Sequence, residues 1–304
     1  MGVRAMFAVP DRRFVERWAW ASVVANAVIV LTGALVRLTG SGLGCPTWPR
    51  CTDESFVPHR SLGTHGVIEF GNRMLTYVLV AIAIATLVAV WRWSGSTRAM
   101  RVLAVLMAVG IPFQGVIGGI TVLTDLNPWV VSLHLLLSLV LIVLSVRLLT
   151  WVRVGAAPEP TTPLARGLAW LVFVLMWVVV YLGTIVTGSG PHAGDRDAPR
   201  NDLDPEVWSH IHGDTVVALI VVTGIAWLAL RSSAPRTARM ALVVLAVELA
   251  QGVIGIVQYL TDLPIALVAA HLVGATVMVG TGTWLLLTVH ATTTSASRRV
   301  PART

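Results

Sequence analysis

QGVIGGITVLTDLNPWVVSLHL, residues 114–135, returns as QGVIGIVQYLTDLPIALVAAHL at residues 251–272. Both copies carry Gln-Gly-Val-Ile-Gly, then Leu-Thr-Asp-Leu, then a histidine. The step from glutamine to histidine is 20 residues in each (134 − 114 and 271 − 251). A constant offset of 137 (251 − 114) with this much identity is an internal duplication. Each copy sets one histidine, His134 or His271, inside an apolar run, so the reading of those runs decides the fold.

Of the 304 residues, 56% are hydrophobic and 12% charged; a soluble domain carries about 25% charged residues. Apolar runs long enough to cross a bilayer fall at 18–39, 64–91, 99–123, 128–150, 165–188, 206–230, 237–260 and 264–289. The expected fold is therefore an all-α integral membrane protein with eight transmembrane helices. The first run lacks a short apolar core followed by a small-residue cleavage site, so we expect an anchor and not a signal peptide.

The net charge of +7 is a topology signal and implies no nucleic-acid partner. All 22 basic residues are arginine. Arg4, Arg12, Arg13, Arg17, Arg92, Arg98, Arg101, Arg147, Arg153, Arg166, Arg231, Arg236, Arg239, Arg298, Arg299 and Arg303 fall in the tails and in connections on one side. Arg37, Arg50, Arg60, Arg73, Arg196 and Arg200 fall on the other. The positive-inside rule puts both termini in the cytoplasm of a cell with this protein in its plasma membrane.

With four spans per half, the copies enter the bilayer in the same orientation, as a parallel repeat. The expected division is an N-terminal half at 1–154, a cytoplasmic linker at 155–163 and a C-terminal half at 164–304. Each half is a four-helix bundle, related to the other by a pseudo-twofold axis along the membrane normal. Thr-Gly-Ser-Gly recurs at 39–42 and 187–190, and aligning the second and sixth spans sets Asn72 against His212 and Glu69 against Ser209. Pro128 and Pro264 mark helix starts. At 1.5 Å per residue, His134 and His271 then lie about 10 Å inside the outer end, in the outer leaflet.

Ionisable residues within spans are functional candidates because they are costly there. His65, Glu69, Asn72 and Arg73 share one helical face, and an intrahelical Glu69–Arg73 ion pair is the plainest reading of those two. Paired imidazoles from two helices of a bundle are a recurrent way to hold haem iron; His212 and His271 form such a pair. In the first half His134 faces Asn72, a poor iron ligand, which leaves one axial position open or filled by His65. A carboxylate present only in the half with the incomplete pair points to catalysis by Glu69. Cys45 and Cys51 lie on an outer loop, where a disulfide is the default, structural or, because the loop is short and exposed, redox-active. Their spacing is not a zinc pattern. Gln114 and Gln251 are helix–helix hydrogen bonders or lie beside the ligands. His192 and His210 are expected to be solvated or to stand just behind the site, and His290 to be interfacial.

TGALVRLTGSGLGCPTWPRC (32–51), IEFGNR (68–73), QGVIGGITVLTDLNPWVVSLHL (114–135), His212 and His271 resemble the haem A synthase family of high-GC Gram-positive bacteria, over the whole chain. The resemblance implies oxidation of the C8 methyl of haem O to a formyl group by successive hydroxylations, giving haem A for cytochrome oxidase. It also implies the substrate haem in the N-terminal half and a haem b cofactor in the C-terminal half, so that iron is bound only through haem. Glu69 is then essential, Cys45–Cys51 is a disulfide, and Arg73 stands beside the site. The haem O synthase and an electron acceptor such as quinone are the implied partners besides the bilayer. Asn72 departs from the family's histidine. A plain electron-transferring membrane cytochrome working with quinol is the alternative; a transporter with a parallel repeat is the lesser one.

Overall fold

The computed structural model describes residues 10–153 and 157–291. Its helices are α1 Arg12–Leu38, α2 Gly63–Arg92, α3 Arg98–Leu123, α4 Pro128–Val152, α5 Pro163–Ser189, α6 Pro205–Leu230, α7 Pro235–Leu260 and α8 Ile265–Val289. Among the described residues there is no strand, and these eight helices are each long and apolar enough to cross a membrane. Arg4, Arg298, Arg299, Arg303 and the linker start at 155–156 lie outside the described residues.

Local chemistry sets the helix starts. Asp11, Thr97, Asn127, Thr162 and Asp204 each accept a backbone N–H of the first turn that follows, supplying partners for donors that a helix start leaves free. Proline opens α4, α5, α6 and α7, where its missing N–H costs nothing. The Asp11 cap carries α1 back to Arg12, six residues before the apolar run begins, because Arg12 and Glu16 form an i, i+4 pair outside it. Pro264 is the residue before α8 and not its first turn. Pro112 sits inside α3 and the helix continues through it.

Within the first half the helices contact around a ring, α1–α2–α3–α4–α1; within the second they do the same, α5–α6–α7–α8–α5. The rings meet where α8 packs on α1 and α4, and where α4 packs on α5. Lipid tails give helices no apolar incentive to associate, so close backbone approach and polar contacts do that work. Ala19, Ala89 and Ala104 in the first ring, and Ala165, Ala169, Ala238 and Ala241 in the second, are buried where helices approach. The Ser22 hydroxyl meets that of Thr86 at 2.9 Å, and Asn26 donates to the Ser22 carbonyl at 2.8 Å.

The large buried clusters are built from the ends of helices opposite the histidines and from the α4, α5, α8 seam. At the histidine end only a small cluster of Leu126, Ala193 and Ala198 is found among the described residues. That end is where polar side chains gather. The linker is tied down at the opposite end: Glu159 accepts from the N–H groups of Arg236 and Thr237 at the start of α7, and Thr161 donates to the Val289 carbonyl.

Candidate functional site

The site is built from two polar positions per ring, His134 and Asn72 in the first and His212 and His271 in the second. His212 on α6 and His271 on α8 come together with ring centroids 6.5 Å apart and planes at 71°. Helices α6 and α8 are not packing neighbours; their imidazoles meet across the ring. With metal–imidazole bonds of about 2 Å on each side, two imidazoles sharing one ion stand about 6 Å apart between centroids. The spacing fits an ion between them. Among the described residues no group of three or more His, Cys, Asp or Glu gathers as a bare ion would need, so a facing pair suits a metal that brings its own equatorial ligands.

The Nδ1 atoms of His134, His212 and His271 are buried and meet no partner at full hydrogen-bond geometry, although the Val179 carbonyl lies alongside His212. Buried imidazoles so placed have unused polar capacity. Each is backed by a bare glycine of the preceding helix. A Cβ on Gly118 would stand 3.3 Å from His134 Cε1, one on Gly183 3.2 Å from His212 Cε1, and one on Gly255 3.5 Å from His271 Cε1. Gly118 and Gly255 are repeat equivalents (118 + 137 = 255). At the fourth position Gly33 lies beneath the Asn72 amide, 4.0 Å from a built Cβ to Nδ2. The Asn72 Oδ1 accepts from Thr32 Oγ1 at 2.8 Å.

Glu69 is 5% exposed, and its partners are set by the fold. Its Oε2 accepts from the Cys45 backbone N–H at 2.5 Å; its Oε1 accepts from Arg73 Nε at 3.1 Å and Nη2 at 2.5 Å. Arg73 also donates to the carbonyls of Cys45, Thr47 and Arg50. The intrahelical ion pair expected from the spacing is present, and it also fastens the disulfide loop to α2. Cys45 and Cys51 are bonded, and both are 0% exposed. The loop that carries them is largely exposed, as expected, while the sulfur bridge itself is buried beside the Glu69–Arg73 clasp.

Trp48 was not singled out by sequence reasoning, yet it seats the same loop. Its indole lies against the bare backbone of Gly119 on α3. The signal was available, because the second copy has Ile256 where the first has Gly119 (119 + 137 = 256) and no matching tryptophan loop. Adjacent glycines thus serve two partners, Gly118 for His134 and Gly119 for Trp48.

The remaining candidates separate. Gln114 donates to the His134 carbonyl at 3.1 Å and to Ser138 Oγ at 2.9 Å; Gln251 instead presses against the bare backbone of Gly274. His65 bonds Ser41 Oγ through Nδ1 at 2.9 Å and lines a cavity at the end of α1. His192 bonds the Leu263 carbonyl at 2.9 Å, in the loop before α8. His210 lies edge-on to Tyr259, and His290 Nδ1 meets the Leu286 carbonyl at the end of α8.

The sequence is similar to known haem A synthases. Haem A synthase of Halalkalibacterium halodurans is 26% identical over 220 residues, covering 67% of this chain and 72% of that protein. Haem A synthase of Staphylococcus epidermidis is 25% identical over 209 residues, covering 63% and 68%. That of Listeria welshimeri is 28% identical over 130 residues, 42% of each chain. The family model COX15-CtaA, described as cytochrome oxidase assembly protein, matches residues 16–194. That match spans the clasped disulfide loop, Glu69, Asn72 and His134, and takes in more than half of the sequence; the chain belongs to the cytochrome oxidase assembly protein family COX15-CtaA.

Proposed function

We propose that this protein is a haem A synthase, an oxidoreductase that converts the methyl group of haem O at C8 to a formyl group. The observation that carries the reading is the inequality of two like rings. One offers a facing histidine pair at 6.5 Å; the other offers His134, an amide at Asn72, and the buried Glu69. Equal sites would suit electron transfer alone. Unequal ones suit one site for a resident group and one for a reactant.

In this reading residues 1–154 are the catalytic half and 164–304 the electron-accepting half, joined by the linker at 155–163. The ring contacts, which exchange α1 for α5 and α4 for α8, support a parallel repeat about a twofold axis. His212 and His271 would hold a haem b, which would supply one-electron transfer. His134 holds the substrate haem O, and the Gln114 bond to its carbonyl fixes the α3–α4 register around it. Glu69 is the catalytic carboxylate. Three N–H donors hold it in one orientation, so it can stabilise positive charge developing at the substrate methyl without reorganising. Each hydroxylation removes an electron pair from that carbon, so an acceptor such as a quinone must draw electrons onward.

The arginine distribution supports a multi-pass protein of the cell membrane with cytoplasmic termini and the histidines toward the outer leaflet. Co-expression with an enzyme that makes haem O, followed by pigment extraction, tests the whole reading. Haem A and a hydroxylated haem are expected. Recovery of haem O and haem B alone would leave a plain membrane cytochrome.

A further inference from the structure

A cavity of about 690 Å³ lies where the last turn of α1, the first turn of α2 and the loop after α5 meet. Arg37, Ser61, His65, His192, Asp195 and Arg196 are on its wall. Arg37 donates Nε to the His192 carbonyl at 2.6 Å and Nη2 to the Thr187 carbonyl at 2.9 Å. Arg200 lies close enough to repel it. Among the described residues no carboxylate comes within 4.0 Å of Arg37, Arg196 or Arg200. Asp195 is the one acidic residue on the wall, and its Oδ1 already accepts the Asp197 N–H.

Arg37 is half-buried with only carbonyls for partners, and Arg196 stands on the same wall with no carboxylate paired with it, so the wall favours an anion. The planar guanidinium fork matches a carboxylate or phosphate. The place matters as much as the charge. Arg37 is four residues beyond Gly33, about 6 Å along α1, and Gly33 is the glycine beneath Asn72. His65 precedes Asn72 by seven residues, about 10 Å along α2 on the same face. The cavity therefore opens at the outer end of the face that carries the N-terminal site.

We propose that this cavity anchors the carboxylate arms of the porphyrin ligand of the N-terminal half, with Arg37 and Arg196 as their counter-charges. The proposal rests on the haem reading above and assigns it a second point of attachment, away from the iron. An anionic lipid headgroup presents the same chemistry, and the test separates the two.

The full-length apoprotein in zwitterionic lipid discs is titrated with haem and with haem dimethyl ester, which keeps the iron and macrocycle but carries no carboxylate charge. The site is identified as the one lost in His134→Ala. There, wild type is expected to favour haem over the diester by about tenfold or more, as one charge-assisted bond gives. Arg37→Gln and Arg196→Gln are each expected to reduce that preference. Arg37→Gln also breaks two bonds between the halves. Arg196 makes no protein hydrogen bond and is exposed, so Arg196→Gln carries the test if the other variant fails to fold. Equal affinity for haem and diester in wild type, or a preference unchanged in both variants, overturns the anchor while leaving haem binding standing. Discs containing phosphatidylglycerol supply the lipid arm: thermal stabilisation that needs both arginines, with haem and diester binding alike, assigns the cavity to headgroups and overturns it. If neither porphyrin binds at the His134-dependent site, the haem reading fails and the anchor with it.

Discussion

Asn72 is the residue at which the two halves part company. Its Oδ1 accepts from Thr32 and its amide is backed by Gly33. His212 at the equivalent place meets His271 across the second ring. A haem held there by His134 would find no second imidazole at the Asn72 position. Asn72→His is expected to supply the missing imidazole and convert that haem to a six-coordinate, low-spin species. Optical and electron paramagnetic resonance spectra of the purified variant report it; a spectrum indistinguishable from wild type would mean that Asn72 does not face the iron. Glu69 teaches a different lesson at the same scale. Spacing alone shows an ion pair with Arg73, but the Cys45 N–H at 2.5 Å comes from a residue 24 positions earlier and makes the pair a clasp.

At the scale of elements, the bare glycines determine how closely each helix approaches its histidine. A methyl group added at Gly183 or Gly118 would stand 3.2 or 3.3 Å from imidazole carbon, closer than ordinary contact, whereas at Gly255 it would stand at 3.5 Å. Overpacking of this kind costs about 1–3 kcal/mol and displaces the neighbour. Gly183→Ala and Gly118→Ala should therefore lose bound haem during purification and melt earlier, while Gly255→Ala should keep both properties near wild type. Haem-to-protein ratios and thermal unfolding measure the difference; three variants that behave alike would show that this packing does not orient the rings. The disulfide loop obeys the same rule, since Trp48 can seat only because Gly119 has no side chain.

At the scale of the molecule, the halves are held together at both ends. On the histidine end, Arg37 and the Gly42 N–H reach carbonyls of the second half, at His192, Thr187 and Gly194. On the other end the linker is docked by Glu159 at the start of α7, a place where the helix dipole favours an anion. Burial works to raise the Glu159 carboxyl, but the N–H groups of Thr237 and Arg236, the Thr237 hydroxyl and the Arg236 charge together outweigh it and hold the group below its ordinary value of 4.5. A carboxyl lowered by folding contributes stability that is full above the unfolded value and is lost as pH falls through the folded one. The thermal midpoint of the wild type is expected to fall as pH drops below about 4.5, and Glu159→Gln should remove that component of the slope while lowering stability at neutral pH. Parallel pH profiles for the two proteins would show that the dock is not coupled to folding.

The eight helices, the duplication, the three histidines inside the helices and the cysteine pair were legible in the sequence, because hydropathy, helical period and repeat offset are properties of neighbouring residues. The departure at Asn72 was legible for the same reason, once one copy was laid on the other. Partnership was not. Glu69 bonds a loop amide, Trp48 rests on Gly119, His192 folds back to Leu263, and Arg37 crosses to a loop 155 residues away. Such contacts depend on how the chain closes in space, and no periodicity encodes them. The tertiary structure alone decided that the disulfide is buried, that His65 turns to Ser41 and the outer cavity, and that His212 and His271 meet 6.5 Å apart. Lipid rewards any apolar surface equally, so hydropathy places a helix in the bilayer; small residues and hydrogen bonds decide which helix it meets.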